Sequence, residues 1–104
     1  MKESVISKEV QNFLKMVGFS VYSVEQGYRK ERGGTRQTPG IPDLIVIGHG
    51  TVLFVELKTA KAKLRDSQAA FRDVCAQNDV PWALWRSVHD AWDWCVNQGV
   101  IEER

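Results

Sequence analysis

The chain has 104 residues, 43% of them hydrophobic and 26% charged, with 14 Lys+Arg against 13 Asp+Glu. That length suits a single domain over residues 1–104, and the composition excludes wholesale disorder. A formal net charge of +1 gives no global sign of a nucleic-acid or membrane partner, so any such partner has to be argued from local charge.

No apolar run approaches the roughly 20 residues a membrane span needs. Residues 1–10 mix charged and apolar side chains and lack the apolar core of a secretory leader. A cytoplasmic protein is expected. Cys75 and Cys95 are far apart and have no metal-ligand spacing around them. They read as small, reduced, semi-buried side chains.

Ser4–Val17 carries Ile6, Val10, Phe13, Leu14 and Val17 at spacings of three and four, which predicts an amphipathic helix. Ser4 or Ser7 is its expected cap and Gly18 its stop. Phe19–Val24 alternates as a strand. Gln26–Gly40 is polar and glycine-rich, and reads as a loop or ragged hairpin. Pro42–Gly48 and Thr51–Lys58 are nearly continuous apolar runs, expected to be strands buried on both faces. Gly48-His49-Gly50 between them signals a tight antiparallel turn.

Leu64–Asn78 predicts a second amphipathic helix with Leu64, Phe71, Val74 and Cys75 inward. Val80–Arg86 is a short strand, and Val88–Gln98 a last helix that Gly99 ends. The order is α-β-β-β-α-β-α, a single α/β domain without repeats.

Three polar residues stand where a sheet core should be apolar: Asp43 opens one apolar run, and Glu56 and Lys58 close the next. Strand side chains alternate, so Glu56 and Lys58 share a face with Leu57 opposite. A hairpin through the short turn brings Asp43 close to Glu56. Isolated charges there cost several kcal/mol each. A divalent cation, a structural ion pair or exposed strand ends would each resolve that cost. Two carboxylates, a backbone carbonyl such as that of Leu57 and water form a donor set that suits Mg²⁺.

Pro42-Asp43, the hairpin and Glu56-Leu57-Lys58 together resemble the PD-(D/E)xK nuclease signature. The stretch from Pro39 to Phe71, PGIPDLIVIGHGTVLFVELKTAKAKLRDSQAAF, resembles the virus-type replication-repair nuclease (VRR-NUC) domain. The resemblance implies a restriction-endonuclease-like core, a mixed central sheet flanked by helices. It also implies Asp43, Glu56 and the Leu57 carbonyl as ligands of Mg²⁺ or Mn²⁺. Lys58 would hold or help deprotonate the attacking water, and Gln68 would support the site.

Related nucleases often supply an acid from the first helix. Glu9 is the candidate here, with Glu25 a weaker substitute; a solvated helix-face glutamate is the alternative reading of Glu9. Relatives commonly carry a Ser-Pro helix start after this segment. This chain has Leu64-Arg65-Asp66-Ser67-Gln68, with Asp66 as the expected cap.

The resemblance further implies a metal-dependent DNA endonuclease that leaves a 5′-phosphate and a 3′-hydroxyl. Branched DNA such as four-way junctions is the implied substrate, a homodimer the implied assembly, and a bacterial or phage-infected cell the setting. The rival readings are a non-catalytic DNA-binding module and a nuclease subunit dependent on a partner protein.

Local charge is consistent with a polyanionic partner. Arg29, Lys30, Arg32 and Arg36 outnumber Glu25 and Glu31 in one segment. Lys58, Lys61, Lys63 and Arg65 outnumber Glu56 and Asp66 in another. Arg29, Lys30, Arg32, Arg36, Lys61, Lys63 and Arg65 are therefore the candidate nucleic-acid contacts. The C-terminal segment is acidic, with Asp90, Asp93, Glu102 and Glu103 against Arg104. Tyr28 is a weaker candidate for base stacking. Trp82, Trp85, Trp92 and Trp94 cannot all fill one small core, so some are expected to face a partner chain. His49 and His89 have no catalytic partner in sequence and read as surface residues.

Overall fold

A computed structural model describes residues 1–24 and 38–102. Its elements follow the expected order: α1 (Glu3–Met16), β1 (Ser20–Ser23), β2 (Leu44–Gly48), β3 (Thr51–Leu57), α2 (Asp66–Gln77), β4 (Trp82–Trp85) and α3 (Val88–Asn97). The four strands form one sheet in the order β1-β2-β3-β4. β1–β2 and β2–β3 pair antiparallel, and β4 runs parallel to β3 after the α2 crossover.

The β2–β3 turn works because its two central residues, His49 (φ 50°) and Gly50 (φ 78°), both adopt the left-handed conformation. That geometry matches the twist of paired strands. It sets Leu44 opposite Val55, so one further step along the ladder sets Asp43 opposite Glu56. His49 is exposed, as the surface reading expects, and still makes two contacts. Its Nε2 lies 2.8 Å from the Val17 carbonyl oxygen, and its ring meets Phe19 edge-on at 4.7 Å. The hairpin tip is thus fastened to the end of α1, where Gly18 (φ 99°) turns the chain into β1.

α1 and α3 cover one face of the sheet. Ile6, Val10, Leu14, Phe19, Leu44, Val46, Leu53, Val55, Leu57, Trp85, Ala91 and Cys95 form the core there. Each large aliphatic side chain so buried contributes roughly 1.5–3 kcal/mol.

The other face corrects an expectation. β2 and β3 are not buried on both sides: Ile47 and Val52 are exposed and Ile45 and Phe54 only half-buried. The reason is that α2 covers only part of this face, with Phe71 against Phe54 at 5.4 Å. Val74 of α2 is likewise exposed rather than inward.

The helix starts also differ. Lys2, not Ser4 or Ser7, holds the cap position of α1, and its carbonyl accepts from the N–H groups of Val5 and Ile6. Arg65, not Asp66, precedes the first turn of α2. Asp66 sits inside that turn, where a carboxylate complements the helix dipole.

The aromatic group is mostly internal. Trp85 is buried, and Trp94 lies between Trp85 (6.1 Å) and Phe19 (5.7 Å). Trp82 and Trp92 are half-buried. Both cysteines are buried and free. Burial raises the Cys75 thiol pKa and pushes Cys95 up to about 11, which suppresses thiolate chemistry. Among the described residues, no helix is long and apolar enough to cross a membrane.

Candidate active site

The hairpin ladder, the parallel β3–β4 pair and the first turn of α2 converge at one end of the sheet. Asp43 enters β2 there. Its carbonyl accepts the Val24 N–H (2.8 Å), and its Oδ2 accepts the Leu57 N–H (2.7 Å). The carboxylate is thus fixed across the strand by the backbone of its own partner.

Glu56 is 2% exposed and Lys58 6%. The Lys58 N–H continues the ladder to the Trp85 carbonyl (3.1 Å). Gln68, also buried, donates through Nε2 to Glu56 Oε2 (3.1 Å) and accepts the Arg65 N–H through Oε1 (2.9 Å). One side chain therefore caps α2 and orients Glu56, a link between helix start and carboxylate. Gln68 holds that place although Asp66 does not cap the helix.

The pKa of Glu56 rises from 4.5 to about 8. Burial is the main cause. Next come the hydrogen bond with Asp43 and the Asp43 charge; Lys58 opposes the rise, and Glu3 adds weakly to it. A buried carboxyl beside a second carboxylate favours its protonated form, which is the direction Glu56 takes.

Gly40 explains the glycine two residues before Pro42. Its φ is 90°, and a Cβ there would collide with the Ser67 backbone. Only glycine lets the chain entering Asp43 press against the first turn of α2 beside Gln68.

The cavity beside Asp43 has a volume of about 240 Å³ and is lined by Glu3, Ser4, Ser7, Ser23, Val24, Asp43 and Leu57. The α1 acid that approaches is therefore Glu3, not Glu9. Both glutamates are exposed, but only Glu3 lines this cavity; Glu9 lies about 100° around the helix from Val10. Glu3 precedes Ile6 by three residues and extends the Ile6–Val10–Leu14 stripe past the sheet end. That spacing was the signal for it. Among the described residues, no three His, Cys, Asp or Glu side chains cluster as a metal cage. The carboxylate pair is thus the candidate cation-holding group, completed by main-chain oxygen and water.

Lys61, Lys63 and Arg65 are exposed on the segment between β3 and α2. Glu25, Tyr28, Arg29, Lys30, Arg32 and Arg36 lie outside the described residues. One residue had no sequence signal. Arg86 Nη1 donates to the carbonyls of Thr59 (2.6 Å) and Ala62 (2.7 Å), clamping the turn that follows Lys58. Its own N–H donates to Asp90 Oδ2 (2.8 Å) in the first turn of α3. Arg86→Ala should lower stability by about 1–3 kcal/mol, because two charge-assisted bonds vanish and leave carbonyls poorly satisfied. Urea unfolding of both proteins measures this.

The VRR-NUC domain family model matches residues 23–89, a span that holds Asp43, Glu56, Lys58 and Gln68. The chain belongs to the VRR-NUC domain family. VRR-NUC domains are nucleases of the PD-(D/E)xK type. A solved structure described as a VRR_NUC domain superposes with a TM-score of 0.69 at 20% identity. The match covers 91% of this chain and 94% of that one, and it supports the fold. No curated protein matches. The family match begins at Ser23, so α1 and with it Glu3 lie outside the part of the VRR-NUC domain that it covers.

Proposed function

We propose that this VRR-NUC domain hydrolyses DNA phosphodiester bonds with Asp43, Glu56, Lys58 and Gln68 as its site. The observation that carries the reading is the Asp43–Glu56 pair, in which burial first, then the hydrogen bond with Asp43 and the repulsion of its charge, raise Glu56 to about 8. A divalent cation relieves that repulsion, and the donor set of two carboxylates, the Leu57 carbonyl and water is the oxygen-rich kind Mg²⁺ or Mn²⁺ accepts. When bound, such a cation supplies Lewis acidity at the scissile phosphate and acidifies water.

The chain's own groups do the rest. Lys58 orients the attacking water and offsets the charge that builds on the phosphoryl oxygens. Water attacks phosphorus, the bond to the 3′ oxygen breaks, and that oxygen takes a proton. A 5′-phosphate and a 3′-hydroxyl result. Gln68 keeps Glu56 aimed at Asp43. Lys61, Lys63 and Arg65, with Arg29, Lys30, Arg32 and Arg36, bind flanking phosphates. Glu3 adds negative charge on the α1 side of the cavity.

Branched DNA is the substrate that the family resemblance favours. A homodimer would give the two cuts a symmetric junction requires. The test is cleavage of single-stranded, duplex, flap and four-way-junction DNA with Mg²⁺, Mn²⁺ or excess chelator. Cation-dependent cutting, strongest on a branched substrate, is expected. Inactivity on all four would leave a DNA-binding module.

A further inference from the structure

A second cavity, of about 280 Å³, opens along the outer face of α1 and is lined by Ser4, Ser7, Lys8, Gln11, Asn12 and Lys15. Ser4 and Ser7 also line the cavity at Asp43, so the two are neighbours with a common wall. Their charges are opposite. The Asp43 cavity carries Glu3 and Asp43, whereas the α1 cavity carries two lysines and no carboxylate. Glu9, the remaining acid of α1, is not in its wall.

Lys8 and Lys15 are seven residues apart, about two helical turns, and so lie on one face roughly 10.5 Å apart along the axis. One strand of a duplex advances about 3.4 Å per phosphate; the two amines thus span about three nucleotide steps. Between them Gln11 Nε2 donates to Ser7 Oγ at 2.9 Å. The Ser7 oxygen accepts there and keeps its own hydrogen as a donor. Amines, a hydroxyl and amides are the donors that phosphodiester oxygens recruit.

We propose that the outer face of α1 is the track along which the phosphate backbone of the DNA strand leaves the Asp43–Glu56 site. This rests on the nuclease reading for its substrate. It assigns binding to a helix outside both of the basic segments legible in sequence.

The test compares Lys8→Ala/Lys15→Ala with its parent, using a fluorescein-labelled 30-base-pair duplex and anisotropy. The parent carries Lys58→Ala so that the DNA stays intact. Affinity should fall about tenfold, and the slope of log affinity against log salt should shrink by roughly 1.8. Lys8→Arg/Lys15→Arg should restore both, which a defect in helix structure would not allow. In the Lys58-containing protein, the alanine pair should raise KM and leave kcat at saturating DNA unchanged. Unchanged affinity and salt slope overturn the track, as does a parent that does not bind the duplex. Binding that depends on these lysines, in a protein that cuts nothing, keeps the track and removes the nuclease reading.

Discussion

Lys58→Ala is expected to lower the rate of DNA cleavage by about 10²–10³-fold or more, the usual loss when one preorganised donor to the transition state is removed. Folding should survive. Removing one partner of a buried ion pair ordinarily costs about 3–5 kcal/mol, because the remaining charge is stranded. Here the remaining group is Glu56, which burial and Asp43 already hold in the protonated form up to about pH 8. Its neutral carboxyl keeps the Gln68 Nε2 bond (3.1 Å). Cleavage gels and thermal melts of the purified variant read the two effects separately. Wild-type cutting in a contaminant-free preparation would remove Lys58 from the site.

Glu56→Gln should abolish cation-dependent cleavage, yet stabilise the cation-free protein at alkaline pH. In the unfolded chain Glu56 titrates near 4.5, and in the folded chain near 8. The folded state therefore holds a proton that the unfolded state releases. Its contribution is fully present below about pH 4.5 and is lost as pH rises through about 8. The amide does not titrate. The stability of the wild type should thus fall relative to Glu56→Gln across that window, by an amount of order a few kcal/mol. Cation binding runs the other way. It must displace the proton that Glu56 holds, so affinity should rise with pH up to about 8 and each binding event should release a proton. Denaturation series at pH 5, 7 and 9, and Mn²⁺ calorimetry in two buffers of different ionisation enthalpy, test both signs. A pH-independent difference between the two proteins would mean that Glu56 is ionised throughout.

The carboxylate pair was legible in the sequence because it breaks a rule. Asp43, Glu56 and Lys58 interrupt runs that otherwise read as buried strand, and the Gly48–Gly50 turn permits one register. Gln68 was legible through the family pattern. Its dual role was not, because its bond to the Arg65 N–H depends on the helix starting one residue earlier than the Asp66 cap implied. Glu9 takes the solvated helix-face alternative for a related reason. Its closeness to apolar neighbours along the chain does not give its direction around the helix, whereas Glu3 extends the inward stripe by one turn.

The order and type of every described element follow from local sequence: the period of the apolar residues, the two left-handed turn positions and the glycine stops. The exposed half of the outer sheet face does not, because an apolar strand reads the same whether or not a helix covers it. Arg86 reaching Thr59 and Ala62, His49 fastening the hairpin to Val17, and the common wall of the two α1 cavities join residues distant in sequence. Only tertiary packing fixes such contacts. The near-neutral net charge is subject to the same limit. A +1 sum says nothing of charge in space, where packing sets the acids of one cavity beside the lysines of the next.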